Sequence, residues 1–156
     1  VHGPVYGGGV GLVAACDMAV ALQEAVFCLS EVKLGIAPAV IAPFLVERIG
    51  AGALRRYALT AEAFNAVAAA RIGLVHEVVQ HPDELDAWIA EQADAISRTG
   101  PSAVAACKQI IHEVAHSDFD TALEYAAQRI AELRTSAEGQ EGLKAFLEKR
   151  RPDWVE

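Results

Sequence analysis

Tyr6-Gly7-Gly8-Gly9-Val10-Gly11-Leu12-Val13-Ala14-Ala15-Cys16-Asp17 is the stretch on which the reading of the chain turns. Glycine loses more backbone freedom on folding than any other residue, so four between positions 7 and 11 need a reason. Either the backbone must come very close to something, or a turn must reach positive φ. Val1 to Tyr6 reads as a strand, and Gly8 to Cys16 as a short helix. A strand, a glycine turn and a helix start leave N–H groups free at the positive end of a helix. That is a place for an anion or a polarised oxygen.

The next question is which ligand. Gly9-Val10-Gly11-Leu12-Val13-Ala14 fits the dinucleotide fingerprint G-x-G-x-x-G/A. That fingerprint requires a full crossover helix before the next strand. Strand-like residues resume here at Met18, which leaves about two turns of helix, and Glu24 comes too early for the ribose-binding acid. No Gly-Lys-Ser/Thr follows, so a P-loop is excluded. Gly7 and Gly11 also fit GxxxG, but His2, Pro4 and Asp17 interrupt the apolar run, and a membrane span is rejected.

Composition narrows the partners. The chain has 156 residues, 53% hydrophobic and 22% charged, enough to bury a sizeable core. Thirteen Lys and Arg against 21 Asp and Glu give a net charge of −8, which argues against nucleic acid. Only Arg55-Arg56 and Lys149-Arg150-Arg151 are basic clusters. Cys16, Cys28 and Cys107 have no metal-ligand spacing and read as buried thiols in a reducing, cytoplasmic setting. A strand and its glycine turn appear at once, with nothing before them to cover them, so an N-terminal part is expected to precede Val1.

The first half alternates strand and helix. Met18 to Leu22 and Val26 to Leu29 read as strands, and residues 30–35 as a loop or helical turn. Pro43 suits the first turn of a helix running to Ile49, closed by Gly50. Ala51 to Leu59 is another helix. Thr60 is a candidate N-cap for a helix over Ala63 to Ile72, and Leu74 to Val79 a strand. From Pro82 the pattern is helical: Asp83 to Arg98, Ser102 to Ala115, Phe119 to Leu133 capped by Asp118 or Ser117, a break over residues 136–139, and Glu141 to Arg150. The fold class is α/β over residues 1–80, with an all-helical region over 81–156.

Several side chains invite chemistry. Glu31 follows a short apolar strand and precedes Gly35-Ile36-Ala37-Pro38. It reads as an exposed loop charge, with Lys33 a simple partner, or as a partly buried general acid or base. His112 and His116 are four apart and could chelate a metal, but no HExxH-type acid arrangement accompanies them, so they read as solvated helix positions and no metal is expected. No GxSxG elbow occurs.

Ordered blocks then add a resemblance. Val1-His2-Gly3-Pro4-Val5-Tyr6-Gly7-Gly8-Gly9, Cys16-Asp17-Met18-Ala19-Val20-Ala21, Ala25-Val26-Phe27-Cys28-Leu29-Ser30-Glu31, Gly35-Ile36-Ala37-Pro38, Leu59-Thr60-Ala61 with Ala66 to Val75, and Gly142-Leu143-Lys144-Ala145-Phe146-Leu147-Glu148-Lys149-Arg150 resemble, in order, blocks of the enoyl-CoA hydratase/isomerase (crotonase) family. The blocks span nearly the whole chain and correspond to the second half of the family domain. Ser-Glu-Val-Lys-Leu-Gly and Pro-Ala-Val-Ile-Ala-Pro look most like bacterial methylglutaconyl-CoA hydratases and related glutaconyl-CoA hydratases.

The resemblance implies the C-terminal part of a ββα spiral followed by a helical trimerisation region. It implies an acyl-CoA thioester as substrate, coenzyme A entering only as part of it, and a homotrimer or a dimer of trimers. Gly8 N–H would be one of two oxyanion donors, and Glu31 the general acid/base. Gly7, Gly11, Pro38, Phe146 and Lys149 would contact substrate, the last two closing the CoA site of a neighbouring subunit. On the residues alone, Phe146 reads as core and Lys149 as solvated. The family's first catalytic glutamate would stand at position 11, which is Gly11 here. A one-glutamate site leaves hydration, isomerisation, thioester hydrolysis and decarboxylation open, as well as an acyl-CoA-binding or assembly module without turnover. The stretch Pro38-Ala39-Val40-Ile41-Ala42-Pro43 implies an unusually apolar acyl pocket.

Overall fold

The computed structural model describes residues 1–155. The chain forms two compact units, Val1–Ile89 and Ala90–Glu156.

The first unit holds five short strands: β1 (Val5–Tyr6), β2 (Val20–Leu22), β3 (Val26–Cys28), β4 (Phe64–Asn65) and β5 (Glu77–Val79). They form two small sheets. In one, β3 lies between β1, its parallel partner, and β4, its antiparallel partner; in the other β2 pairs parallel with β5. All three residues of β2 are buried, as its unbroken apolar sequence predicts for a strand covered on both faces. Around the sheets lie helices α1 (Gly8–Ala15), α2 (Ala42–Thr60) and α3 (Ala66–Arg71), followed by α4 (Pro82–Ser97). The core gathers Val10, Phe27, Leu29, Leu45, Tyr57, Phe64, Leu74 and Val75. Phe64 stacks on Phe27 and meets Tyr57 in a tilted pair. A smaller cluster joins Val20, Leu22 and Leu85.

Most element expectations hold, with instructive exceptions. Gly50 sits at φ 73°, ψ 158° and divides α2 into the two expected helices. Thr60 is not an N-cap. It is the last residue of α2, and its hydroxyl donates to Arg56 O. The cap of α3 is Asn65, whose side chain accepts from Ala68 N–H at 2.9 Å. The start of the expected helix is claimed by β4, because Phe64 pairs across to Phe27. His76 is bound into the scaffold. Its N–H donates to Ala19 O, and its Nδ1 accepts from Ala19 N–H.

The second unit contains α5 (Pro101–His116), α6 (Phe119–Thr135) and α7 (Ala137–Glu148). Asp118 caps α6 as expected, accepting from Thr121 N–H. The expected break at residues 136–139 shrinks to a corner. Ser136 caps α7 at once, its hydroxyl accepting from Gly139 N–H. The buried hydrophobic residues of this unit are Ala106, Ala122 and Ala145, while Ile111, Phe119, Leu123, Phe146 and Leu147 are exposed. Cys28 alone among the thiols is buried; Cys16, at the C-cap of α1, and Cys107, on α5, are exposed, against expectation. No described helix is long and apolar enough to cross a membrane.

Candidate active site

The site lies at the C-terminal ends of two parallel strands, where ligands bind in α/β folds. Tyr6 of β1 registers with Cys28 of β3. Gly7 N–H extends that ladder by one bond, to Cys28 O at 2.9 Å. From β3 the chain runs through buried Leu29 and Ser30 into a 3-10 helix, Glu31–Leu34. Parallel pairing therefore carries Glu31 to the glycine turn, across 24 residues of sequence (31 − 7).

Gly7 adopts φ 51°, ψ −121°, a backbone that L side chains rarely take. A Cβ there would stand 3.2 Å from Glu31 Oε1, so the carboxylate rests against the bare Cα. Glu31 is half-buried, and its Oε2 is buried with no hydrogen-bond partner. An unpartnered buried carboxylate oxygen is costly, so this one is open to a donor from water or a ligand. The exposed Lys33 makes no ion pair with it among the described residues, so the simple-partner reading fails.

Gly8 and Gly9 open α1, and their N–H groups have no intrahelical acceptor. Val10 N–H turns back to Gly7 O at 2.9 Å. The helix has no acidic residue in its first turn and no side-chain cap. Its positive end is thus left to an outside acceptor. Gly8 is exposed and has no atom within 4 Å of a Cβ position.

Gly11 lies one turn further along α1 and is buried. A Cβ there would fall 2.2 Å from Ile41 Cγ2 and 2.6 Å from Ile41 Cβ. The side-chain space of position 11 is already occupied. Pro38 is half-buried at the centre of a tight turn in which Ala39 N–H reaches Ala37 O. It lies in the irregular chain between the 3-10 helix and α2. Phe146 and Lys149 belong to the second unit. Phe146 is 80% exposed, which overturns its reading as core. Lys149 is exposed, as read, and closes α7 in a left-handed conformation.

Two contributors escaped sequence reasoning. Ile41 hid in an apolar segment whose orientation periodicity does not give. Arg48 on α2 reaches the C-terminal end of α1, donating from Nη2 to Cys16 O at 2.7 Å and, more distantly, to Asp17 O. Its one signal is a cation in a helix otherwise packed by Leu45 and Ile49.

A carboxylate beside an open helix N-terminus is chemically suited to move a proton near an oxygen that gains charge. Comparisons with known proteins give the family. A sequence profile for enoyl-CoA hydratase/isomerase matches residues 1–156. A mevalonyl-coenzyme A hydratase of Aspergillus fumigatus is 39% identical over 99% of this chain and 58% of its own length. A crotonyl-CoA hydratase of Syntrophomonas wolfei is 35% identical, over 99% of this chain and 60% of its own. Among solved structures, an enoyl-CoA hydratase from Shewanella pealeana superposes with a TM-score of 0.91 at 42% identity, covering 97% of this chain and 57% of that one. The chain belongs to the enoyl-CoA hydratase/isomerase family and has its crotonase-like fold. It spans about half the length of the curated relatives it matches.

Proposed function

We propose that this chain carries the proton-transfer half of an enoyl-CoA hydratase-like lyase, with Glu31 as the single general acid/base. The observation that carries the reading is the Glu31 carboxylate lying against Gly7 at the start of α1, one oxygen buried and unpartnered. Glu31 takes a proton from water as the water oxygen bonds to C3 of a 2-enoyl thioester. The C2=C3 electrons move to the thioester oxygen, and Gly8 N–H donates to the resulting enolate. Glu31 then returns the proton to C2, so the elements of water are added and nothing else is consumed. A preorganised donor of this kind is worth about 10²–10³ in kcat.

Gly7, Gly11 and Pro38 border the acyl group in this reading. Coenzyme A arrives as part of the substrate, and no separate cofactor takes part. A branched glutaconyl thioester such as 3-methylglutaconyl-CoA is the first substrate to try, which would place the enzyme in branched-chain amino acid or fatty acid breakdown in the cytoplasm. The helical unit, with small residues buried and large apolar ones exposed, suits a homotrimer or a dimer of trimers. Phe146 and Lys149 would then face a neighbour's CoA.

Gly11 supports a second reading, an acyl-CoA-binding module that does not turn over; isomerisation or thioester hydrolysis on the same scaffold is a third. The test is hydration of crotonyl-CoA and 3-methylglutaconyl-CoA by the full-length protein. Loss of about 10²-fold or more in kcat for Glu31→Gln, with thioester affinity retained, is the expected result. Normal turnover by Glu31→Gln removes the role of Glu31, and tight binding without turnover by the parent favours the binding module.

A further inference from the structure

Position 7 is the N-cap of α1 and position 11 lies within its first turn or so, and neither carries a side chain. Each bare position is covered by a residue from elsewhere: Glu31 Oε1 lies 3.2 Å from the Cβ position of Gly7, and Ile41 Cγ2 lies 2.2 Å from that of Gly11. A carboxylate thus covers the cap of this helix, and a branched hydrocarbon covers a position inside it. Ile41 is the N-cap of α2, and its carbonyl accepts from Leu45 N–H at 3.1 Å, with Leu45 fully buried. The side chain is therefore held by a fixed backbone. Protein interiors do not absorb an overlap of that size without moving backbone or rotamers.

We infer that Ile41 is a specificity-determining residue, a plug in the side-chain space of Gly11 that limits how far the acyl group extends beyond C3. This rests on the hydratase reading above, which puts the thioester oxygen at Gly8 and the reacting carbons at Glu31. Substituents on C3 then run along α1 toward Gly11 and meet the Ile41 side chain. The segment 38–43 thus closes the acyl pocket by volume as well as by polarity. Gly11 is the other half of the device, because any side chain there competes with Ile41 for one space.

The experiment uses the full-length protein and four variants: Gly11→Ala, Ile41→Ala, their double, and Ile41→Val. Melting temperature and selectivity between crotonyl-CoA and 2-octenoyl-CoA are read for each. Gly11→Ala alone should lower Tm, and adding Ile41→Ala should recover most of that loss, because the methyl then enters vacated space. Ile41→Ala should shift kcat/KM toward 2-octenoyl-CoA by about tenfold, the discrimination a hydrophobic pocket makes over one or two carbons. Should Ile41→Ala not fold, Ile41→Val removes one methyl and should shift selectivity the same way by a smaller factor. Additive Tm losses in the double variant, or unchanged selectivity in a folded Ile41 variant, overturn the inference. If the parent turns over neither thioester, the hydratase reading fails. The Tm cycle and the ratio of the two dissociation constants then decide the role of Ile41 by the same criteria.

Discussion

Replacing Gly7 by alanine tests whether the glycine turn exists to let Glu31 close on it. Two costs add. The first is conformational: φ 51°, ψ −121° is a backbone a residue with a Cβ holds only under strain, at about 1–3 kcal/mol. The second is contact. The new methyl would lie 3.2 Å from Glu31 Oε1, so the carboxylate must retreat by a few tenths of an ångström. The conformational cost dominates stability, at about 2 kcal/mol, or about 4–8 °C in Tm for a chain of this size. The displacement dominates activity in the proposed mechanism: a misplacement of about 1 Å costs about 10²-fold, so a retreat of a few tenths of an ångström should cost less than that. Gly8→Ala is the internal control. Position 8 opens α1 with open space around its Cβ position, and the substitution leaves its N–H in place. It should change stability by less than about 1 kcal/mol, in the favourable direction if at all. Chemical denaturation gives both stabilities, and thioester hydration gives the activities. If Gly7→Ala is as stable as the parent, or Gly8→Ala costs as much as Gly7→Ala, the argument from backbone strain is wrong.

Arg48→Met should destabilise the first unit by about 1–2 kcal/mol, because Cys16 O at the end of α1 loses a charged donor; urea titration at fixed pH measures it. Asn65→Ala should cost about 1 kcal/mol through the lost cap of α3, and an unchanged denaturation midpoint would show that the cap carries nothing. In the second unit, Arg150 hydrogen-bonds the Glu141 carboxylate and holds its pKa down to about 2. A carboxylate depressed on folding contributes stability that is complete above its unfolded value, about 4.3, and is lost as pH falls toward 2. The decline in Tm between those pH values should therefore be shallower in Glu141→Gln than in the parent.

Local chemistry made much of the fold legible. Gly50 and Asp118 act within a few residues of themselves, so φ freedom and capping place them without knowledge of the rest. The same locality misled at Thr60, a good cap by type. Its neighbour Phe64 is drawn into pairing with Phe27, 37 residues away (64 − 27), and only that long-range contact moves the helix start to Asn65. The histidines divide likewise. His112 and His116 read correctly as exposed helix positions, whereas His76 gained its partner, Ala19, from the opposite end of the unit.

The glycine stretch shows the same division. Sequence alone determined that positions 7–11 turn from a strand into a short helix with open N–H groups. Ordered blocks along the chain pointed to Glu31 and marked position 11 as lacking a carboxylate. Which side chains cover the two bare positions was decided only by tertiary structure. Parallel pairing of β1 with β3 brings Glu31 to Gly7, and the seating of α2 brings Ile41 to Gly11. Residues 24 and 30 positions apart (31 − 7 and 41 − 11) meet because sheet register and helix packing put them together, and neither is encoded in any local run of residues.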